Sequence, residues 1–437
     1  MRSPEAWLFA KEWRELMASR AWWVMLIVIG PLVGMSFISA VTAYGELSGV
    51  NGTAAGVGEA FSPLIGIWAP TFSACELAAA FLLPFVAIRQ VSGDKQSGAL
   101  KIELQHPLSS FTRVAIKSAV LLLGWLLATS APLIGVALWL SYGGHLYVPE
   151  LLVVIAGHVL NGALTIALAA AAAALTEHPA TAAIVTLTVT VGTWLVNFAA
   201  AVNGGWWERA AAFTPTAMVA EFQRGLFRAD VTLAAFALIL GGLALAAIWL
   251  RLGERVAVRI RRTLLTVAVS SVAVFIAALA SPSWDASESL RNSFSEPEVE
   301  ALRSIGDGLH VEAHFAPEDP RRSDLEHNAF RKLRRALPRA RIDYVSATST
   351  GLFEQTSDKY GEIWYQQGGK TQVSRITTAE GVLENVLSLA GIAAPNESDE
   401  DVFRGHPLAA QPRGAALLFY GLWPLVVASI AFMQWRK

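Results

Sequence analysis

Long apolar runs separated by short polar stretches fill most of this chain, and one long polar stretch interrupts them toward the C-terminal end. A membrane-crossing helix needs about 20 mostly apolar residues. Eight stretches meet that measure: 21–44, 67–88, 118–142, 151–176, 180–202, 231–250, 263–280 and 414–434. Within the polar stretch the period changes. "LHVEAHF" (309–315) alternates as a strand does, "SDLEHNAFRKLRRAL" (323–337) repeats at helical spacing with Ser323 or Asp324 as its cap, and "RIDYVSA" (341–347) is a second strand. "GEIWYQQGGKTQVSRI" (361–376) predicts a hairpin turning at Gly368-Gly369, and "TAEGVLENVLSLAG" (378–391) a helix closed by Gly391. The order β-α-β-β-β-α predicts a small α/β domain of thioredoxin-like layout. Without a Cys-x-x-Cys it carries no redox chemistry. Residues 393–412 read as a linker back to the apolar part.

Composition agrees with a polytopic α-helical membrane protein of about eight spans. The 437 residues are 54% hydrophobic and 16% charged, where a soluble domain carries about 25% charged residues. Cys75, the one cysteine, lies in an apolar run, which leaves no disulfide framework within the chain and no cysteine-based metal motif. The first 20 residues are not read as a cleavable signal, because Glu5, Glu12 and Glu15 lie among the basic residues and the next apolar run is too long.

Lys and Arg in short loops orient such a chain, the richer loops staying cytoplasmic. Arg2, Lys11, Arg14 and Arg20 precede the first run; Arg89, Lys95, Lys101, Arg113 and Lys117 follow the second; five arginines between 251 and 262 follow the sixth. Stretches 45–66 and 143–150 have none. With eight spans the rich segments share one side, so both termini are expected in the cytoplasm and residues 281–413 outside it. That polar stretch holds 21 Asp and Glu against 15 Lys and Arg, so it is mildly acidic while the remainder is mildly basic.

The polar island after the second run, "QSGALKIELQHPLSSFTRVAIK" (96–117), concentrates a Gly, several charges and a Pro-Leu-Ser-Ser turn between two spans. Gly98 permits a turn, Pro107 ends a helix, and Ser109 or Ser110 caps the next. It resembles the cytoplasmic loop of type-2 ABC exporter permeases, with Ala99 where that family has Thr, Lys101 where it has Glu, and Glu103 where it has an apolar residue. "FAKEWRELMASRAWW" (9–23) resembles the same family's amphipathic elbow helix, and "FTPTAMVAEFQRGLFRADVTLAAF" (213–236) its outer loop, with Pro215, Arg224 and Gly225 at the matching positions. "WDASESLRNSFSEPEVEALRSIGDGLHVEAHF" (284–315), with a closing helix at Glu380–Leu387, resembles the outer domain of the gliding-motility-type auxiliary subunit of such transporters.

The resemblance implies an elbow helix at 1–20, a six-span permease core at 21–255, a seventh span at 256–280, an extracytoplasmic domain with linker at 281–413, and an eighth span with a cytoplasmic tail at 414–437. It implies a multi-pass protein of the bacterial inner membrane. ATP and Mg²⁺ would be held by a separate ATPase, with no catalytic or metal-binding residue and no cofactor in this chain. Glu12, Asp94, Gly98, Lys101, Glu103 and Pro107 would couple to that ATPase. A second copy or a sibling permease would complete the pathway, and an envelope partner could meet 281–413; no nucleic acid is expected. The alternative is a non-transporting scaffold that passes ATPase-driven motion to an envelope machine. An enzyme ranks third.

Other signals are weaker. "GGKT" (368–371) ends like a phosphate loop, but position 364 is Trp and the stretch lies in a hairpin. His310 and His314 flank Glu312, but four residues along a strand separate them by about 13 Å, too far to share an ion. The acid-rich 397–403 reads as a solvated linker, and "RKLRRALPRAR" (331–341) as a solvated helix face. Within the spans, Glu76, His158, Asn161 and Asn197 are polar groups that are costly in lipid. They mark a translocation path or a subunit interface, or else bond locally inside the bundle.

Overall fold

The computed structural model describes residues 3–50, 61–103, 107–203, 205–251, 253–306, 308–316, 319–345, 359–395 and 403–436. Among them, eight helices are long and apolar enough to cross a membrane: Arg20–Gly49, Leu64–Ser97, Ser110–Ser141, Val148–Leu175, Pro179–Asn203, Ala229–Trp249, Val256–Ala277 and Leu417–Trp435. The chain is a multi-pass helical membrane protein. Each predicted span has its helix, and the second and third run further than the apolar pattern allows. The second runs on past residue 88 to Ser97, and the third begins at Ser110 instead of 118. The added turns carry Gln90, Asp94, Arg113 and Lys117, all buried. A hydropathy measure rejects these residues, and their partners bring them inside.

Local signals set the ends. Ser3 caps the amphipathic helix Pro4–Ala18, accepting from Ala6 N–H at 3.3 Å, with Pro4 in its first turn. Gly98 closes the second span at φ 77, a left-handed conformation that suits glycine. Ser109 accepts from Thr112 N–H at 3.0 Å and starts the third.

The chain folds as two units. The first comprises 1–195, 213–284 and 405–437. Its core holds Phe37, Trp68, Trp125 and Trp139, each fully buried. Glycines admit the rings: a Cβ at Gly162 would collide with Trp125, and one at Gly30 or Gly34 with Trp423 or Phe419 of the eighth span.

The second unit comprises Asp285–Arg404 together with Val196–Ala212. The sequence pattern assigned 196–202 to the fifth span and 203–212 to a loop. Arg322, 8% exposed, pairs with Glu208 at 2.7 Å within this unit, a contact between residues 114 positions apart. Four strands, β1 (His310–Ala313), β2 (Arg341–Tyr344), β3 (Ile363–Gln367) and β4 (Lys370–Ser374), form one sheet in the order β2-β1-β3-β4. β1 and β2 are parallel, and β3 is antiparallel to both β1 and β4. The hairpin turns at Gly368 and Gly369, both with positive φ, as a tight two-residue turn requires. Thr378 caps the helix Ala379–Ala390, and Gly391 ends it at φ 73. The helix after β1 differs from expectation. Asp319, not Ser323 or Asp324, is its cap, because Pro320 presets the first turn. Val311, Ala313 and Tyr365 of the sheet pack with Leu302, Phe330, Leu333, Val382 and Leu387. The acid-rich 397–403 lies outside the described residues except for Phe403.

Candidate functional site

The amphipathic helix Pro4–Ala18, the ends of the second and third spans and the short helix Ala99–Glu103 converge on one buried group of charges. Glu12, Asp94, Glu103 and Lys117 are at most 5% exposed. Lys11 Nζ donates to Glu12 Oε1 at 3.1 Å, to Asp94 Oδ1 and Oδ2 at 3.2 and 3.3 Å, and to Glu103. Lys117 Nζ donates to Glu12 and Asp94 and lies 3.5 Å from Glu103. Gln90 Nε2 donates to Glu12 Oε2 at 2.8 Å. The three carboxylates have oxygens within 4.8 Å of one another, and two ammonium groups sit among them. Arg113, itself buried, adjoins as a third cation acting on Glu103.

Such a group survives burial only when its members are paired and bonded together. Burial alone pulls the Lys11 ammonium down. Its bond to Glu103 and the Glu12 and Asp94 charges outweigh this and raise it above the ordinary lysine range. The amphipathic helix is thereby fastened to two spans. Beside the group, Lys95 Nζ donates to the carbonyls of Ala173, Ala174 and Thr176 at 3.0, 3.1 and 2.7 Å, capping the fourth span. One end of the second span thus holds the amphipathic helix, the third span and the fourth.

The six residues expected to couple divide by depth. Glu12, Asp94 and Glu103 lie within the ion group. Gly98 makes the turn, and Lys101 and Pro107 face water. On Ala99–Glu103, Leu100 and Glu103 share the inward face at i,i+3 spacing, while Lys101 and Ile102 point outward, Ile102 being 63% exposed. A cleft of about 290 Å³ opens beside the group, lined by Glu15, Ser19, Arg89, Gly93, Asp94 and Ser97 among others. Sequence reasoning missed the role of Lys11, Gln90, Lys95 and Lys117. Their positions within or beside apolar runs were the available signal.

Of the intramembrane residues, Glu76 and Asn161 line one cleft with Thr190, Thr193, Trp194 and Thr216. The Glu76 side chain lies beside Thr216 and Trp194 in that cleft. His158 is one turn from Asn161 but lies in the packed core, its ring 5.6 Å from Phe72 and its Nε2 3.3 Å from Gln223 Nε2. Asn197 belongs to the second unit. In the outer-loop motif, Thr214 caps and Pro215 opens the helix Pro215–Gln223, with Arg224 and Gly225 (φ 77) ending it. The acidic partners of that loop, Asp230 at 2.6 Å and Glu221 at 3.7 Å, are met by Arg228.

No family model, no curated protein and no solved structure matches the chain. The functional reading therefore rests on geometry and on the sequence motifs. His310 and Glu312 lie on β1 and His314 just beyond it, with His310 Nε2 bonded to Asp343 at 3.0 Å and the His314 ring beside Trp364.

Proposed function

We propose that the chain is the permease subunit of an ATP-driven exporter of the type-2 ABC class, coupled to a separately encoded ATPase through the surface of residues 94–110. The observation that carries this reading is the buried ion group. A permease must receive force at one membrane face and distribute it to several spans. The group joins the helix Pro4–Ala18, the island helix and two spans, and Lys95 adds a third span. Lys101 and Ile102 on the island's outer face are the residues an ATPase meets, and the cleft beside Arg89 can seat a partner's side chain. Glu12, Asp94 and Glu103 then act as positioning residues beneath that surface.

Both termini and the island are assigned to the cytoplasm of a bacterial inner membrane, and residues 281–413 to the opposite side, on the distribution of Lys and Arg. The strand order β2-β1-β3-β4 with an antiparallel β3 supports the thioredoxin-like layout. A second permease, identical or sibling, completes the pathway, and ATP and Mg²⁺ belong to the ATPase. The cleft of Glu76, Asn161 and Thr216 is the part of the pathway this chain contributes.

A scaffold that transmits motion without transport is favoured by one observation. Val196–Ala212, continuous with the fifth span, belongs to the same unit as the sheet, so span movement has a covalent route into that unit. Co-expression of the chain with its ATPase tests the leading reading. Wild type should retain the ATPase through affinity purification, and Ile102→Asp, folded and monodisperse, should lose it. Equal retention would remove the island from the contact.

A further inference from the structure

The segment leading into the eighth span, residues 405–416, is tied to the ends of the first and third spans. His406 donates its N–H to Phe61 O at 2.9 Å, and its carbonyl accepts from Tyr44 Oη at 2.8 Å. Leu408 N–H reaches Ser48 Oγ at 3.0 Å, and Tyr142 Oη reaches Arg413 O at 2.8 Å. On the facing turn after the third span, the carbonyl of His145 accepts from Trp139 Nε1 at 2.9 Å. Both histidine backbones are therefore held by bonds that do not involve the rings. The two imidazoles meet with centroids 3.6 Å apart and planes at 18°. Each offers a ring nitrogen within 4.8 Å of the other's.

We propose that His145 and His406 form a binding site for a divalent transition metal of the zinc class, clipping the 405–416 segment to the turn after the third span. Imidazole nitrogens suit zinc, copper(II) and nickel, whereas magnesium and calcium prefer oxygen. A zinc–nitrogen bond is about 2.0–2.1 Å, so two nitrogens this close need only side-chain rotation to share one ion. The anchored backbones have already lost their freedom on folding, so metal binding orders little more than the two rings. Water completes the coordination.

The test uses the full chain in detergent, purified without a polyhistidine tag and titrated calorimetrically with zinc chloride. The site predicts one zinc per chain and a zinc-dependent rise in melting temperature. His145→Gln and His406→Gln should each lower zinc affinity at least about ten-fold and abolish the rise, while His178→Gln and His327→Gln behave as wild type. Should either pair variant fail to fold, electron paramagnetic resonance of copper(II) bound to wild type decides. Couplings from two imidazole nitrogens support the site, and their absence overturns it. Zinc affinity unchanged in both pair variants, or no saturable binding by wild type, also overturns it.

Discussion

Lys117 and Glu12, 105 positions apart in the chain, form an ion pair in which neither side chain is more than 3% exposed. The pair fastens the N-terminal amphipathic helix to the third span, and Asp94 extends it to the second. Removing one member of a buried pair costs about 3–5 kcal/mol, because the partner is left charged and unmatched. Lys117→Met should therefore lower the midpoint of thermal unfolding in detergent sharply. Glu12→Gln added to Lys117→Met should recover part of the loss. A Lys117→Met protein as stable as wild type would mean the ions do not hold the helix.

The approach of the 405–416 segment to the first span depends on glycine. A Cβ at Gly45 would overlap the carbonyl oxygen of Ala410. Backbone cannot yield as a flexible side chain can, and such overpacking costs about 1–3 kcal/mol. Gly45→Ala should lower the melting temperature and speed proteolysis within 403–416, whereas Gly49→Ala, with open space around its Cβ, should do neither.

Acid sensitivity in the second unit has a named source. Hydrogen bonds from Arg321, followed by one from Tyr360, hold the Asp319 carboxyl at about 2, below its ordinary 3.8. A depressed folded-state value stabilises above the unfolded value and is lost as pH falls through the folded one. This contribution is thus complete above about pH 4 and disappears toward pH 2. Hydrogen exchange of peptides covering 319–345 in the full chain should quicken over that interval in wild type. Asp319→Asn should exchange faster at neutral pH and show a flatter acid response.

Much of the architecture was legible. Apolar runs located eight spans, and Gly368-Gly369 and Gly391 marked the hairpin and the end of the last helix of the second unit because turn and cap chemistry is local. The ion group was half visible. Glu12, Asp94 and Glu103 stood out as charges, but their lysine partners lie 83 to 105 positions away for the longest pairs. No local pattern reports such a distance, and Lys117 lies where the apolar measure placed the start of a span. The same holds for Glu208 and Arg322, whose contact joins residues 114 positions apart within the second unit. His145 and His406 carried no signal, since their meeting depends on how the 405–416 segment returns.

Within the membrane, Glu76 shares a cleft with Thr216 and Trp194. Glu76→Gln keeps the side chain's size and polarity, so the melting temperature should change little. If the cleft is part of the pathway, the variant should lose export activity in a reconstituted system while still retaining the ATPase. Full export would assign Glu76 to packing.

The most direct measurement is the ATP hydrolysis rate of the co-purified ATPase in nanodiscs with wild type or with Gly98→Pro/Pro107→Ala, which alters the island without removing a member of the ion group. The coupling account predicts that wild type changes the rate relative to the free ATPase and that the variant, folded and inserted, returns it to the free value. Identical rates for wild type, variant and free ATPase would contradict it.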